Sequence, residues 1–155
     1  MLSDDEKVGA EAYFALLEAG NLLFAAVDQQ LRRDGEISHA QFEILTKLRA
    51  HPDGLRMSDL ANVLVVSRSG LTYQVTQLEK RGLLQRGSAP GDDRVVVVRV
   101  TPAAEGLIDH LEPGHVQLVR QAFSAVTDRR DFETLARILG QLSQTLRATR
   151  RHDDG

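Results

Sequence analysis

The chain has 155 residues, 42% of them apolar and 26% charged, with a formal net charge of −3. That composition suits one soluble globular domain able to bury a real core. It contains no cysteine, which excludes disulfides, thiolate zinc sites and thiol redox switches.

The opening LSDDEK has no basic region, and no unbroken run of about 18 apolar residues occurs. Neither a signal peptide nor a membrane span is expected, and the cytoplasm is the default compartment. Residues 4 to about 33 read as one long helix. Phe14, Leu17, Phe24 and Leu31 form one stripe, and Leu16, Leu22, Leu23 and Val27 add apolar residues off it. A helix apolar around most of its girth is covered on two sides. In a chain this short, the second cover is expected to be a partner subunit, the alternative being that this is the central helix of a monomeric bundle. Asp34-Gly35 is a turn signal that ends the helix.

Ser38 is placed to cap a second helix running to about residue 49, with Phe42, Ile44, Leu45 and Leu48 inward. His51-Pro52-Asp53-Gly54 breaks it. Ser58 is placed to cap a short helix with Leu60, Ala61 and Leu64 inside, and Val65-Val66 leads to Ser67. Ser67 is placed to cap the next helix, in which Leu71, Val75 and Leu78 recur at i, i+4 and i+7. The opposite face carries Ser69, Thr72, Tyr73, Thr76 and Lys80, none of them acidic. Gly82 ends the helix where a left-handed residue is cheap. A short helix, a tight link and a second helix in this order make a helix-turn-helix.

Residues 83–86 predict a strand, residues 87–93 a turn-rich loop, and residues 95–100 a valine-rich return strand. A polar-faced helix feeding a hairpin is the layout of a winged helix-turn-helix, whose helix enters the major groove of DNA. Thr101 and Pro102 begin a further helix as cap and first residue, and Pro113-Gly114 should kink or interrupt it. Thr127 or Asp128 caps a last helix with the stripe Leu135, Ile138, Leu139, Leu142 and Leu146. The tail from Arg150 is expected to fray. The fold class is thus mainly α with a small β-hairpin wing.

Residues 56–99 hold seven cations against four anions. Residues 1–55 hold five against ten, and residues 100–155 hold seven against eight. The central segment is the only positive one, as a polyanion-facing segment should be. No Ser/His/Asp order, phosphate loop, HExxH or glycine-rich dinucleotide turn occurs, so an enzyme is not expected. His110 and His115 are five apart and point to different helix faces, so no metal is expected, and no other cofactor is expected either. A winged helix that binds protein instead of DNA is the alternative, favoured if the recognition face were apolar.

An ordered set of short motifs now stands out. It comprises Leu60-Ala61, Val66-Ser67-Arg68-Ser69-Gly70-Leu71-Thr72, Leu78-Glu79, Arg81-Gly82-Leu83-Leu84, Arg86, Asp92-Asp93-Arg94 and Val100-Thr101-Pro102. Over residues 37 to about 105 this set resembles the MarR family of transcriptional regulators. The resemblance implies a single domain over residues 1–155, with a DNA-binding lobe at 37–101 and dimerisation helices at 1–36 and 102–150. It implies a homodimer on a roughly palindromic site of double-stranded DNA, more commonly repressing than activating. It also implies control by a small lipophilic or phenolic effector bound between the dimer helices and the lobe. Tyr73 departs from the arginine that many relatives carry, Asp93 from a second basic residue in the wing, and Ala104 from the usual glycine.

Contacts to DNA sort by type. Ser67 and Arg68, at the positive end of the helix, are expected to hold phosphates. Ser69, Thr72, Tyr73 and Thr76 are candidates for base edges, while Gln74 and Gln77 flank them. Arg94 is the candidate for the minor groove or adjacent backbone, with Asp92 orienting it through a charge-assisted pair. Gly70 and Arg86 join the set through the matched motifs. Tyr13, Phe24, His39, Phe42 and His115 are the candidates for lining an effector pocket.

Overall fold

The computed structural model describes residues 3–64, 68–126 and 128–153. The chain divides into two compact units, residues 1–118 and 119–155.

In the first unit, α1 spans Asp4–Gly35. Ser3 opens it with a reciprocal box: its hydroxyl accepts the Glu6 N–H at 3.2 Å, and its own N–H donates to the Glu6 carboxylate at 2.6 Å. Asp4 and Asp5 in the first turn, and Arg32 and Arg33 in the last, suit the helix dipole. The helix runs two residues past the expected end. Gly35 is its last residue, and the left-handed turn falls on Glu36, at φ 54°. A Cβ on Gly35 would stand 3.0 Å from both methyls of Leu111, so this glycine serves close packing, not the turn. Only Val27, Gln30 and Leu31 of α1 are buried. Val8, Tyr13, Phe14, Leu17, Leu22 and Phe24 are exposed. An 18-residue window of α1 has a mean hydropathy of 1.3, so the helix is long and apolar enough to cross a membrane. The expectation that no stretch qualifies is corrected on this point. Glu11 and Glu18 interrupt the alanines, leucines and phenylalanines of α1, which conceals the apolar character from a search for apolar runs.

α2 spans His39–Arg49 behind a second capping box, formed by Ser38 and Gln41. α3 spans Met57–Leu64 and α4 spans Arg68–Lys80. Ser58 therefore lies inside the first turn of α3 instead of before it. Leu55, just upstream, exchanges backbone hydrogen bonds with Val98 at 3.1 and 2.8 Å, and the helix starts as soon as the chain leaves that bridge. Val65, Val66 and Ser67 lie outside the described residues, so the expected cap at Ser67 does too.

β1 (Leu84–Ala89) and β2 (Asp92–Val100) pair antiparallel, from Leu84 opposite Val100 to Ser88 opposite Val96, with a register shift at Ser88/Ala89. The expected seven-residue loop is thus mostly strand. Gly87 and Ser88, poor strand formers, are carried by pairing with Val97 and Val96. Only Pro90 and Gly91 turn the chain, the glycine at φ 80°.

α5 spans Pro102–Ala122. The Thr101 hydroxyl accepts the Ala104 N–H at 3.3 Å, as the cap reading requires. Pro113 does not interrupt this helix; it removes one donor while the flanking turns continue the ladder. The core joins Leu31, Ile37, Leu45, Leu48, Leu60, Leu71, Val75, Leu78, Val98, Ile108 and Leu111, each 2% exposed or less.

In the second unit, the end of α5 leads through a turn to α6, Arg129–Asp153. The Asp128 carboxylate accepts the Arg130 N–H at 2.8 Å and so caps α6. Thr127 is outside the described residues. The expected fraying from Arg150 is corrected, because the helix continues to Asp153. The rings of Phe123 and Phe132 meet at 5.7 Å. Ile138, Leu142 and Leu146 are exposed.

Candidate nucleic-acid interface

α4 divides into two faces because its apolar residues recur at one helical spacing. Leu71, Val75 and Leu78 are buried on the lobe core. Ser69, Gly70, Thr72 and Tyr73 are exposed, Tyr73 by 63%. Gln74, Thr76 and Gln77 are half-buried at the flanks. The Thr76 hydroxyl donates to the Thr72 carbonyl at 2.8 Å, which leaves the hydroxyl lone pairs as acceptors. Arg68 opens the helix; its side chain is outside the described set. The outward face is polar, the single carboxylate of α4, Glu79, is paired with Arg86, and the face suits hydrogen bonding to base edges and phosphates.

The wing stands beside this helix through one ion pair. Arg86 on β1 meets Glu79 on α4 at 2.9 Å, so Arg86 ties the hairpin to α4. At the tip, the Asp92 carboxylate accepts the backbone N–H of Arg94 at 3.0 Å. The expected orienting contact therefore lands on the Arg94 backbone, because a carboxylate two residues upstream closes a local turn. Arg94 itself is exposed.

Two further arginines make contacts that the sequence motifs do not assign. Arg49, at the end of α2, meets Glu105, Asp109 and Glu112 of α5 at 3.2, 2.9 and 3.3 Å. Arg81, just after α4, donates to the carbonyls of Glu36 at 2.8 Å and Gly35 at 3.3 Å. The spacing of the α5 carboxylates, about one helical turn each, was a visible signal for the first. Nothing local signalled the second.

The MarR family model matches residues 37–96, which hold α2, α3, α4 and most of the wing. Sco3205 of Streptomyces coelicolor, a MarR family transcriptional regulator crystallised in complex with DNA, is 31% identical, with a TM-score of 0.82 over 94% of this chain and 90% of Sco3205. This protein is a member of the MarR family. Among relatives of this MarR chain, the uncharacterised HTH-type transcriptional regulator YfiV of Bacillus subtilis is 31% identical over 77% of the chain and 72% of YfiV. YdgJ, an uncharacterised HTH-type transcriptional regulator of the same organism, is 28% identical, and the match spans 55% of its length.

Four of the five candidate pocket residues form two ring pairs in the first unit. The rings of Phe24 and His39 lie 4.7 Å apart, and those of Phe42 and His115 lie 5.1 Å apart. Burial, chiefly, and the nearby His39 hold the His115 imidazole below the usual histidine range, with Glu112 opposing them. Asp28 accepts the His39 backbone N–H at 2.8 Å and pairs with Arg32 at 2.6 Å. These contacts, the His39 bond foremost, hold its carboxyl below the usual carboxylate range. Gln30 is 4% exposed and donates to Asp34 at 2.9 Å. The Gln30 Oε1 and His115 Nδ1 atoms are buried with no hydrogen-bond partner among the described residues. Tyr13 lies apart: it packs edge-on against Phe14 at 5.1 Å, and eleven residues of helix place it about 16 Å along α1 from Phe24.

Proposed function

We propose that this MarR protein is a sequence-specific DNA-binding transcriptional regulator, a homodimeric repressor on a palindromic operator, relieved by a small lipophilic or phenolic effector. The partition of α4 carries the reading. Three buried apolar residues fix the helix, while Ser69, Thr72 and Tyr73 present hydrogen-bonding groups to solvent beside an exposed Arg94. Gln74, Thr76 and Gln77 complete the described DNA face, Ser67 and Arg68 join it on the sequence motif alone, and a cytoplasmic location follows from that partner. The DNA bound to Sco3205 supports the choice of partner.

The dimer rests on uncovered surface. α1 and α6 each expose large apolar side chains, Phe14, Leu17 and Leu22 on one and Ile138, Leu142 and Leu146 on the other. Patches of that kind mark association surfaces. A second copy covers them in this reading, where a bilayer would have to accept Glu11 and Glu18. The effector reading rests on the Phe24, His39, Phe42 and His115 cluster, where two buried polar atoms leave hydrogen-bonding capacity for a ligand hydroxyl.

Selection from random duplex DNA at two salt concentrations, with light scattering on the same preparation, tests the proposal. An inverted repeat bound by a species of twice the chain mass is the expected result. Sequence-indifferent binding refutes the operator, and absence of binding at both salts moves the winged helix to the protein-binding class.

A further inference from the structure

Three helix ends meet at one turn of the first unit. α1 ends at Gly35, with Glu36 the only non-glycine residue at positive φ among those described. The last carbonyls of a helix have no intrahelical donor and carry the negative end of its dipole. Arg81 reaches two of them, 45 and 46 residues away in sequence, with a separate guanidinium nitrogen on each. The residues next to Arg81 are held from the other side. The Gly82 carbonyl accepts the Thr101 hydroxyl at 2.7 Å, and the Leu83 carbonyl accepts the Thr101 N–H at 3.1 Å. Thr101 is the cap of α5. Gly35 in turn packs on Leu111 and Leu107 of α5. The end of α4 is thereby bonded to the end of α1 and to the start of α5.

We infer that Arg81 is a positioning residue for DNA recognition: its two hydrogen bonds to the end of α1 fix the direction in which α4 presents its outward face. The inference rests on the proposed DNA-binding role of α4. α1 packs on α2, and α2 on α4; Arg81 adds a direct link whose forked geometry resists rotation. Charge-assisted bonds of this kind are about twice as strong as neutral ones. Lysine supplies the charge without the fork. In a dimer built on α1, a rotation at this junction changes the separation of the two α4 helices, which must match about one turn of DNA, roughly 34–36 Å. Arg81 points away from DNA in this role, so its loss leaves each lobe able to bind.

The test uses Arg81→Lys and Arg81→Gln in the full chain. Each variant is titrated against the selected inverted repeat, against the same repeat with one base pair added to or removed from the spacer, and against a single half-site. Wild type is expected to favour its own spacer at least about tenfold. Arg81→Gln should lower that preference to about twofold or threefold while half-site affinity stays within about twofold, and Arg81→Lys should fall between. Equal losses on half-site and full site, or an unchanged spacer preference, overturn the inference. A second arm needs no DNA. Gly20→Cys and Ser69→Cys place the only two thiols on α1 and α4, since the chain has none. Spin labels there, with excess unlabelled chain to isolate one labelled subunit per dimer, report the α1–α4 distance distribution. Arg81→Gln should broaden it at least about twofold, and an unchanged distribution overturns the inference. Failure of wild type to bind any duplex counts against the DNA-binding function, and the distance measurement still decides the role of Arg81.

Discussion

Gly54→Ala should be among the most damaging single-methyl changes in this chain. Gly54 sits at φ +82°, and a Cβ there would lie 2.8 Å from Cγ of Arg99, 2.9 Å from a methyl of Val97 and 2.9 Å from the Val98 carbonyl oxygen. The left-handed backbone alone costs an alanine about 1–2 kcal/mol. Forcing a methyl into filled space adds about 1–3 kcal/mol. The Arg99 stem can swing aside, but the Val98 carbonyl cannot, because it already accepts the Leu55 N–H at 3.1 Å. Relief requires lengthening that bond, for about 1 kcal/mol more. The sum is about 3–6 kcal/mol, and since these costs share one displacement, about 4 kcal/mol is expected. Gly82→Ala is the internal control. Its φ is +70° with nothing within 4 Å of the added Cβ, so it should lose only the backbone share of about 1–2 kcal/mol. Urea midpoints of both variants and wild type, followed by far-UV circular dichroism, separate the two costs. A Gly54→Ala midpoint no lower than that of Gly82→Ala would refute the close-packing argument.

Other outcomes follow from the interface and the histidine pair. Arg94→Ala should weaken binding on every duplex and reduce the slope of log K against log salt by about one unit; an unchanged slope removes Arg94 from the phosphate contacts. Tyr73→Ala should relax discrimination at one base position by about 1–3 kcal/mol, read as the spread of affinities over four substituted duplexes. Identical spreads would mean that Tyr73 reads no base. The folded chain holds the His115 pKa below its ordinary 6.5. Below that pH the unfolded chain takes up a proton that the folded chain resists, so stability should fall as pH drops from about 6.5 toward the folded pKa, then level off. Denaturant midpoints at pH 7.5 and 5.5 should differ less in His115→Phe than in wild type; an equal difference assigns the loss to other groups.

Local chemistry made much of this fold legible. The Ser38 cap, the Leu71, Val75 and Leu78 stripe, the Thr101-Pro102 start and the turn at Gly91 are all written within a few residues of where they act. Three kinds of feature were not. Asp34-Gly35 reads as a turn, yet Gly35 lies inside α1, where an added Cβ would meet both methyls of Leu111, distant in sequence, at 3.0 Å. Gly87 and Ser88 read as loop, yet cross-strand partners carry them into β1. Arg81 bonds to backbone carbonyls at the end of α1, and neither periodicity nor propensity records such a contact. The candidate interface was more legible than the junction behind it, since an outward helical face is defined by the same period as the inward one.

The division of labour along α4 sets how this protein can diverge. Leu71, Val75 and Leu78 hold the helix in the core, whereas Ser69 and Tyr73 point to solvent and contribute little to it. Substitutions at those outward positions leave the stability threshold nearly untouched. A gene duplicate could therefore drift to a new binding site one side chain at a time, each intermediate still folded, without compensating changes inside the lobe.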